Sequence, residues 1–355
     1  MSKKHTFMRL VIVLLIVSFG MYLRFVNRSN KELSMDEPYQ INTMKVSLWY
    51  AISDARRIMQ FPGDVLLVYP FYKLFGENKW GLAIPHIIIT ILGFYLLYIL
   101  CGKYFKTTWG YIIAFSLVAL NNNLISHAFE IRPYAVLANL GIAVFVIMQY
   151  IFEKESPSRI MKVLISIFII TVILFHLYGS LIIFFAYLFH ILFSRKENTI
   201  RYFISKHLKY YGVSLLIALP IWYYFAFGSD KSYLKSFTQT SEGSFEYIHR
   251  GIIPMAKGIF GNLICFKKLY FLLAGLIFAF LIPHKERLKQ IMFFIVMIML
   301  PIGLILLSSI IYKYWFLPRQ FVWAMPLFAF LIGWCWNSAI VYFMGKFTNK
   351  SASLP

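Results

Sequence analysis

The stretch Leu10-Val-Ile-Val-Leu-Leu-Ile-Val-Ser-Phe-Gly-Met-Tyr-Leu-Arg-Phe-Val26 holds no acid and one arginine. It reads as a membrane span, since a spanning helix needs about 20 mostly apolar residues. Met1 to Arg9 ahead of it is short and basic, and Gly20-Met-Tyr-Leu-Arg24 offers no small-residue cleavage pattern. The reading is therefore a retained signal anchor. Working outward by the same length rule, ten spans are expected, at 8–26, 81–101, 108–125, 134–152, 160–176, 178–193, 210–227, 269–283, 290–311 and 320–345. His176-Leu-Tyr-Gly179 divides the fifth from the sixth and reads either as a turn or as a kink.

Composition points the same way. With 60% hydrophobic, 19% aromatic and 14% charged residues, the chain is too apolar for a soluble domain of 355 residues. The expected fold class is an all-α polytopic membrane protein. It forms a single transmembrane domain over 1–346, followed by a short tail at 347–355.

The net charge of +21 comes from 35 Lys and Arg against 14 Asp and Glu. In a soluble protein that excess would raise nucleic acid as a partner. Here the basic residues are scattered among spans and no nucleic-acid module is recognisable, so membrane lipid is the expected partner instead. If the amino terminus is cytoplasmic, segments 1–9, 102–107, 153–162, 194–209, 284–289 and 346–355 lie inside and hold 18 of the 35 basic residues. Only Glu153, Glu155, Glu197 and Glu286 oppose them there. That distribution satisfies the positive-inside rule. The expected location is a bacterial-type inner or plasma membrane, with the long segments 27–79 and 228–268 outside.

Those two segments differ in character. Pro38 to Gln60 mixes apolar and charged residues at partly helical spacing, with Trp49 and Tyr50 suited to headgroup depth, and reads as an interfacial helix. A second is expected from Asp64 to Phe75. Segment 228–268 begins polar and reads as a loop over a site. Cys101, Cys265 and Cys335 are too far apart for metal-ligand spacing and imply no disulfide framework.

Candidate chemistry gathers in the first external segment and in the short external turn between the third and fourth spans. Asp36-Glu37 sits about ten residues beyond the first span, where a carboxylate can accept a proton from an attacking hydroxyl. Its structural alternative is a helix cap, since Ser34 or Asp36 precedes Pro38. Glu130 and Arg132 lie beside Asn121-Asn-Asn123, Ser126 and His127. Such polar density at the rim of a membrane core is costly unless the groups pair or line a hydrated cavity. Arg132 can hold a phosphate through its planar fork of donors, and the alternative is a plain Glu130–Arg132 ion pair. His176 and Arg319 are further rim candidates, with packing and interfacial anchoring as their alternatives; Asp64, Lys313, His249 and Arg250 are weaker. A divalent metal on Asp36, Glu37 and Glu130 stays open, because hard divalent ions take carboxylates. No phosphate-binding glycine loop, dinucleotide fingerprint, H-E-x-x-H or G-x-S-x-G is present.

The order of these features resembles the polyprenyl-phosphate-sugar-dependent glycosyltransferases of the GT-C fold, specifically the protein O-mannosyltransferase, aminoarabinose transferase and bacterial family-39-like group. Met35-Asp36-Glu37 follows a first span. Pro62-Gly-Asp-Val-Leu-Leu-Val-Tyr-Pro70 lies where the family shows a His-Pro-Pro-Leu-Tyr-Tyr-like stretch, here without the histidine. Leu74-Phe-Gly-Glu-Asn-Lys-Trp-Gly-Leu-Ala-Ile-Pro85 is similar to its entry into span two, with Leu82 or Ala83 in place of the usual arginine. Ser126-His-Ala-Phe-Glu-Ile-Arg-Pro-Tyr134 resembles its S-x-E-x-R-x-Y turn, and His176-Leu-Tyr-Gly and Phe316-Leu-Pro-Arg-Gln-Phe resemble later elements.

The resemblance implies that Asp36 is the catalytic base or acceptor-binding acid, with Glu37 beside it. Glu130, Arg132, Tyr134, His176 and Arg319 would bind substrate or lipid phosphate. The implied activity is inverting transfer of a sugar from a polyprenyl-phosphate donor to a lipid, glycan or protein acceptor. A lipid-linked glycan transporter and a polysaccharide polymerase are the alternatives. A transporter would place charges near the midplane and show paired half-structures.

Overall fold

The computed structural model describes residues 3–34, 36–58, 60–153, 158–176, 178–193, 209–227, 284–312 and 321–351. The expected span at 269–283, the loop 228–268, Met35, Arg319 and the last four residues lie outside them. All the regular structure among the described residues is helical. Five segments, His5–Asn30, Lys79–Tyr104, Tyr134–Glu153, Lys285–Leu307 and Ala324–Gly345, are long and apolar enough to cross a membrane. Their outward faces are apolar as well: Leu14, Leu15 and Phe19 of the first and Ile88, Ile91 and Leu92 of the second are exposed. A helix apolar all round belongs in lipid, and the chain is an all-α integral membrane protein.

Helix α1 (Lys3–Asn30) and α6 (Thr108–Ala119) run parallel: Arg9 stacks on Tyr111, and Gly20 abuts Ala119. A Cβ on Gly20 would lie 2.7 Å from that of Ala119, so glycine permits the approach. Helices α5 (Lys79–Tyr104) and α8 (Tyr134–Glu153) run the other way, packed where Gly93 receives the side chain of Asn139. Lys103 meets Glu153 at their far ends, 2.6 Å apart. The last helix, Ala324–Ser351, lies antiparallel to α6, with Gly333 against Gly110 and Ala114. Its Asn337 Oδ1 accepts from the Lys106 and Thr107 amides and the Thr107 hydroxyl. These contacts define two ends of the bundle, an Asp36 end and an Asn337 end.

Several expected boundaries are corrected. The first span continues past Val26 to Asn30, because Arg24 and Arg28, one turn apart, are both buried by polar partners. The expected single span at 108–125 stops at Ala119. Arg24 takes the terminal carbonyls of Val118 and Ala119, while the Asn121 side chain accepts from Leu124 N–H and starts a separate short helix, α7 (Asn122–Ser126). The single interfacial helix expected over 38–60 is two, α2 (Asp36–Val46) and α3 (Leu48–Arg57), parted where the Ser47 side chain accepts from Tyr50 N–H. Capping of this kind starts a new helix. The second, α4 (Gly63–Phe75), stands as expected.

The turn-or-kink alternative at His176 resolves as a sharp turn. Helix α9 (Arg159–Phe175) ends on an extended His176, and α10 (Tyr178–Phe193) folds back so that Gly179 meets the Val172 carbonyl. After α11 (Lys209–Phe227) come α12 (His284–Phe293), a π-helical turn at Phe294–Met299 and α13 (Leu300–Tyr312); the last helix is α14.

Candidate active site at the Asp36 end

Helices α2, α3 and α4 pack on one another through Ile41, Met44, Ala51, Val65 and Val68, and onto Leu82 of α5 and Ile131. Trp49 is 78% exposed on the outer side of this layer. The layer is held down by polar contacts. Buried Asp64 accepts from Gln40 Nε2 at 2.7 Å and pairs with His86 Nε2 at 2.8 Å, which ties α2 and α4 to α5. Asp54 accepts from the Tyr39 hydroxyl and from Arg57, which ties α2 to α3.

Glu37 is fully buried. Its Oε1 accepts from Arg28 Nη1 at 2.7 Å and from Ile131 N–H at 2.8 Å, and its Oε2 accepts from Ser34 N–H at 2.8 Å. One carboxylate thus clamps the end of α1, the start of α2 and the turn before α8. A group so enclosed positions its neighbours and is not placed to take a proton from a substrate, which corrects the expectation that Glu37 shares in catalysis. Asp36, at the first position of α2, turns outward, with 39% of its side chain exposed. Its Oδ2 lies 3.5 Å from Arg132 Nη2, and Arg132 Nη1 donates to Gln60 Oε1 at 3.1 Å.

Glu130 does not pair with Arg132. It accepts from Lys31 Nζ through Oε1 and meets His127 Nδ1 at 2.8 Å through Oε2. Burial alone would raise its pKa, but hydrogen bonding and charge from His127 and Lys31 outweigh that and bring it to about 2. Glu130 is a fixed anion in this turn. Lys79 Nζ donates to the Ser29 and Lys31 carbonyls, closing the end of α1 with a cation where the helix dipole favours one.

The expected residues therefore divide. Asp36, Glu37, Glu130 and Arg132 converge, although 94 residues separate Glu37 from the Ile131 amide that donates to it. Tyr134 is buried just inside them with its ring 5.4 Å from that of His127. His176 shares this end of the bundle but sits beyond the 60–63 segment: Gln60 reaches Arg132, whereas Gly63 abuts Leu174 and Phe175. The His176 ring packs on Tyr178, 4.5 Å between centroids, outside the hydrogen-bonded group around Arg132. Asp36, Glu37 and Glu130 do not form a metal set, because each faces its own basic partner. Among the described residues no three His, Cys, Asp or Glu side chains gather as metal ligands.

Arg28, Lys31 and Gln60 escaped the reading of the sequence. The i, i+4 spacing of Arg24 and Arg28 was the available signal, since it puts both on one face of a helix prolonged by a turn. Gln60 carried none. No family model, curated protein or solved structure matches the chain.

Proposed function

We propose that the protein transfers a sugar from a polyprenyl-phosphate donor to a hydroxyl of a lipid, glycan or protein acceptor, at the extracytoplasmic face of a bacterial-type membrane. The observation that carries the reading is the pairing of a half-exposed Asp36 with a buried Arg132 at one end of an apolar bundle. Asp36 takes the proton from the acceptor hydroxyl. The freed oxygen attacks the anomeric carbon, the bond from that carbon to the phosphate oxygen breaks, and its electron pair leaves with the phosphate. A single displacement inverts the anomeric configuration. Arg132 stabilises the developing charge, and a fixed cation beside low-dielectric walls acts strongly on it. Gln60 and Asp36 aim the guanidinium; Glu37 and Glu130 set the turn that carries it.

The fold proposed is a ten-span GT-C-like bundle. Helix α11 ends at the Asp36 end, where Tyr224 meets Arg56 and Phe225 meets Phe61. Helix α12 starts at the other, where Glu286 accepts from Trp334 Nε1. These opposite ends are in keeping with the proposed span at 269–283. The ionisable networks gather at the bundle ends, which favours an enzyme over a transporter with charges at its midplane.

The test offers the purified protein, in lipid, a panel of radiolabelled polyprenyl-phosphate sugars. At least one should lose its sugar to an acceptor, and Asp36→Asn should stop the transfer while the protein remains inserted and folded. Undiminished transfer by Asp36→Asn rejects the assignment.

A further inference from the structure

We infer that the bundle holds a small monovalent anion, of halide size, against Arg24. This goes beyond the transfer reaction and does not depend on it. Arg24 is 2% exposed in α1. Its Nη1 donates to the Gly20 and Ala119 carbonyls at 2.8 and 2.9 Å, and its Nη2 to the Val118 carbonyl at 3.0 Å. A guanidinium has five N–H groups. Three are used, and Nε is buried without a hydrogen-bond partner.

The charge is also unbalanced. Arg28, Arg57 and Arg132 each have a carboxylate within 4 Å, as does Lys31; among the described residues Arg24 has none. The carboxyl end of α6 offers Arg24 roughly half an elementary charge of compensation. Beyond that, among the described residues, only the Phe94 ring, its centroid 5.4 Å from the guanidinium carbon, faces the cation, and no anion balances it inside an apolar bundle, where an unpaired ion is costly.

A cavity of about 20 Å³ lies beside it, lined by Arg24, Asn123, Asn139, Thr90 and His127 on its polar side and by Phe94 among its apolar walls. A buried water needs roughly 10–15 Å³ of such space. That space suits one halide or one to two waters. The uncompensated cation selects the anion over water.

The full-length protein in lipid nanodiscs is melted in sodium bromide, chloride or gluconate at equal ionic strength, and crystals grown in bromide are searched for anomalous signal. The halides should raise the melting temperature over gluconate by on the order of 2 °C, saturably. A bromide peak should stand within hydrogen-bond reach of the Arg24 guanidinium, and Arg24→Gln should abolish the halide response. Should Arg24→Gln fail to fold, Ala138→Val narrows the cavity with the cation in place and must lose the response instead. Equal melting in all three salts overturns the proposal, as does a halide response that survives the variants. A bromide peak without halide-dependent melting marks an adventitious ion only and overturns it too.

Discussion

Asp36 and Glu37 carry the same functional group on adjacent residues, yet the backbone turns one into a three-way clamp and leaves the other half open to substrate. Their substitutions should part accordingly. Glu37→Ala strands the Arg28 guanidinium and two backbone amides in a buried site; removing one partner of a buried ion pair costs about 3–5 kcal/mol. Thermal unfolding in lipid should show that loss, and Arg28→Met combined with Glu37→Leu should cost less than the two singles together. Asp36→Asn touches a half-exposed pair and should change stability by no more than about 1 kcal/mol. Glu130 adds a pH dependence. Its folded pKa of about 2 lies below the ordinary 4.5, so it stabilises the fold fully above about 4.5. That contribution fades as pH falls toward 2. The melting difference between wild type and Glu130→Gln should therefore be largest at neutral pH and narrow progressively as pH falls from about 4.5 toward about 2.

Helix boundaries were legible where they depend on apolar length and obscured where a distant side chain sets them. The membrane-crossing helices α1, α5, α8 and α14 were anticipated within a few residues, since each is an uninterrupted apolar run. Residues 108–125 look equally uninterrupted. What cuts them is Arg24, more than 90 residues earlier, taking the carbonyls that would have continued the helix. The split at Ser47 was available in principle, because serine three residues before an unpaired amide is a capping pattern. The turn at Gly179 belongs to the same scale. A Cβ there would lie 2.3 Å from the Val172 carbonyl oxygen, so Gly179→Ala has to push α9 and α10 apart. Overpacking of this kind costs about 1–3 kcal/mol. Gly303→Ala on α13, where nothing among the described residues lies within 4 Å of the added methyl group, should show no such loss in the same unfolding assay.

At the scale of the molecule, the basic loops and the helix directions agree on two ends with different chemistry. If the Asp36 end faces out, Trp49→Cys in a cysteine-free background should react with an impermeant maleimide applied to intact cells. Arg287→Cys, at the start of α12, should react only after permeabilisation; the reverse pattern would invert the topology. Residence in a membrane was legible in the sequence alone, because the transfer of a segment into lipid is a sum over its own residues and needs no knowledge of its neighbours. The pairing of charges was not. Glu130 chose Lys31 and His127 over Arg132 two residues away, and Glu37 chose Arg28, because an ion pair depends on distance and direction between groups. Only the packing of helices remote along the chain supplies those.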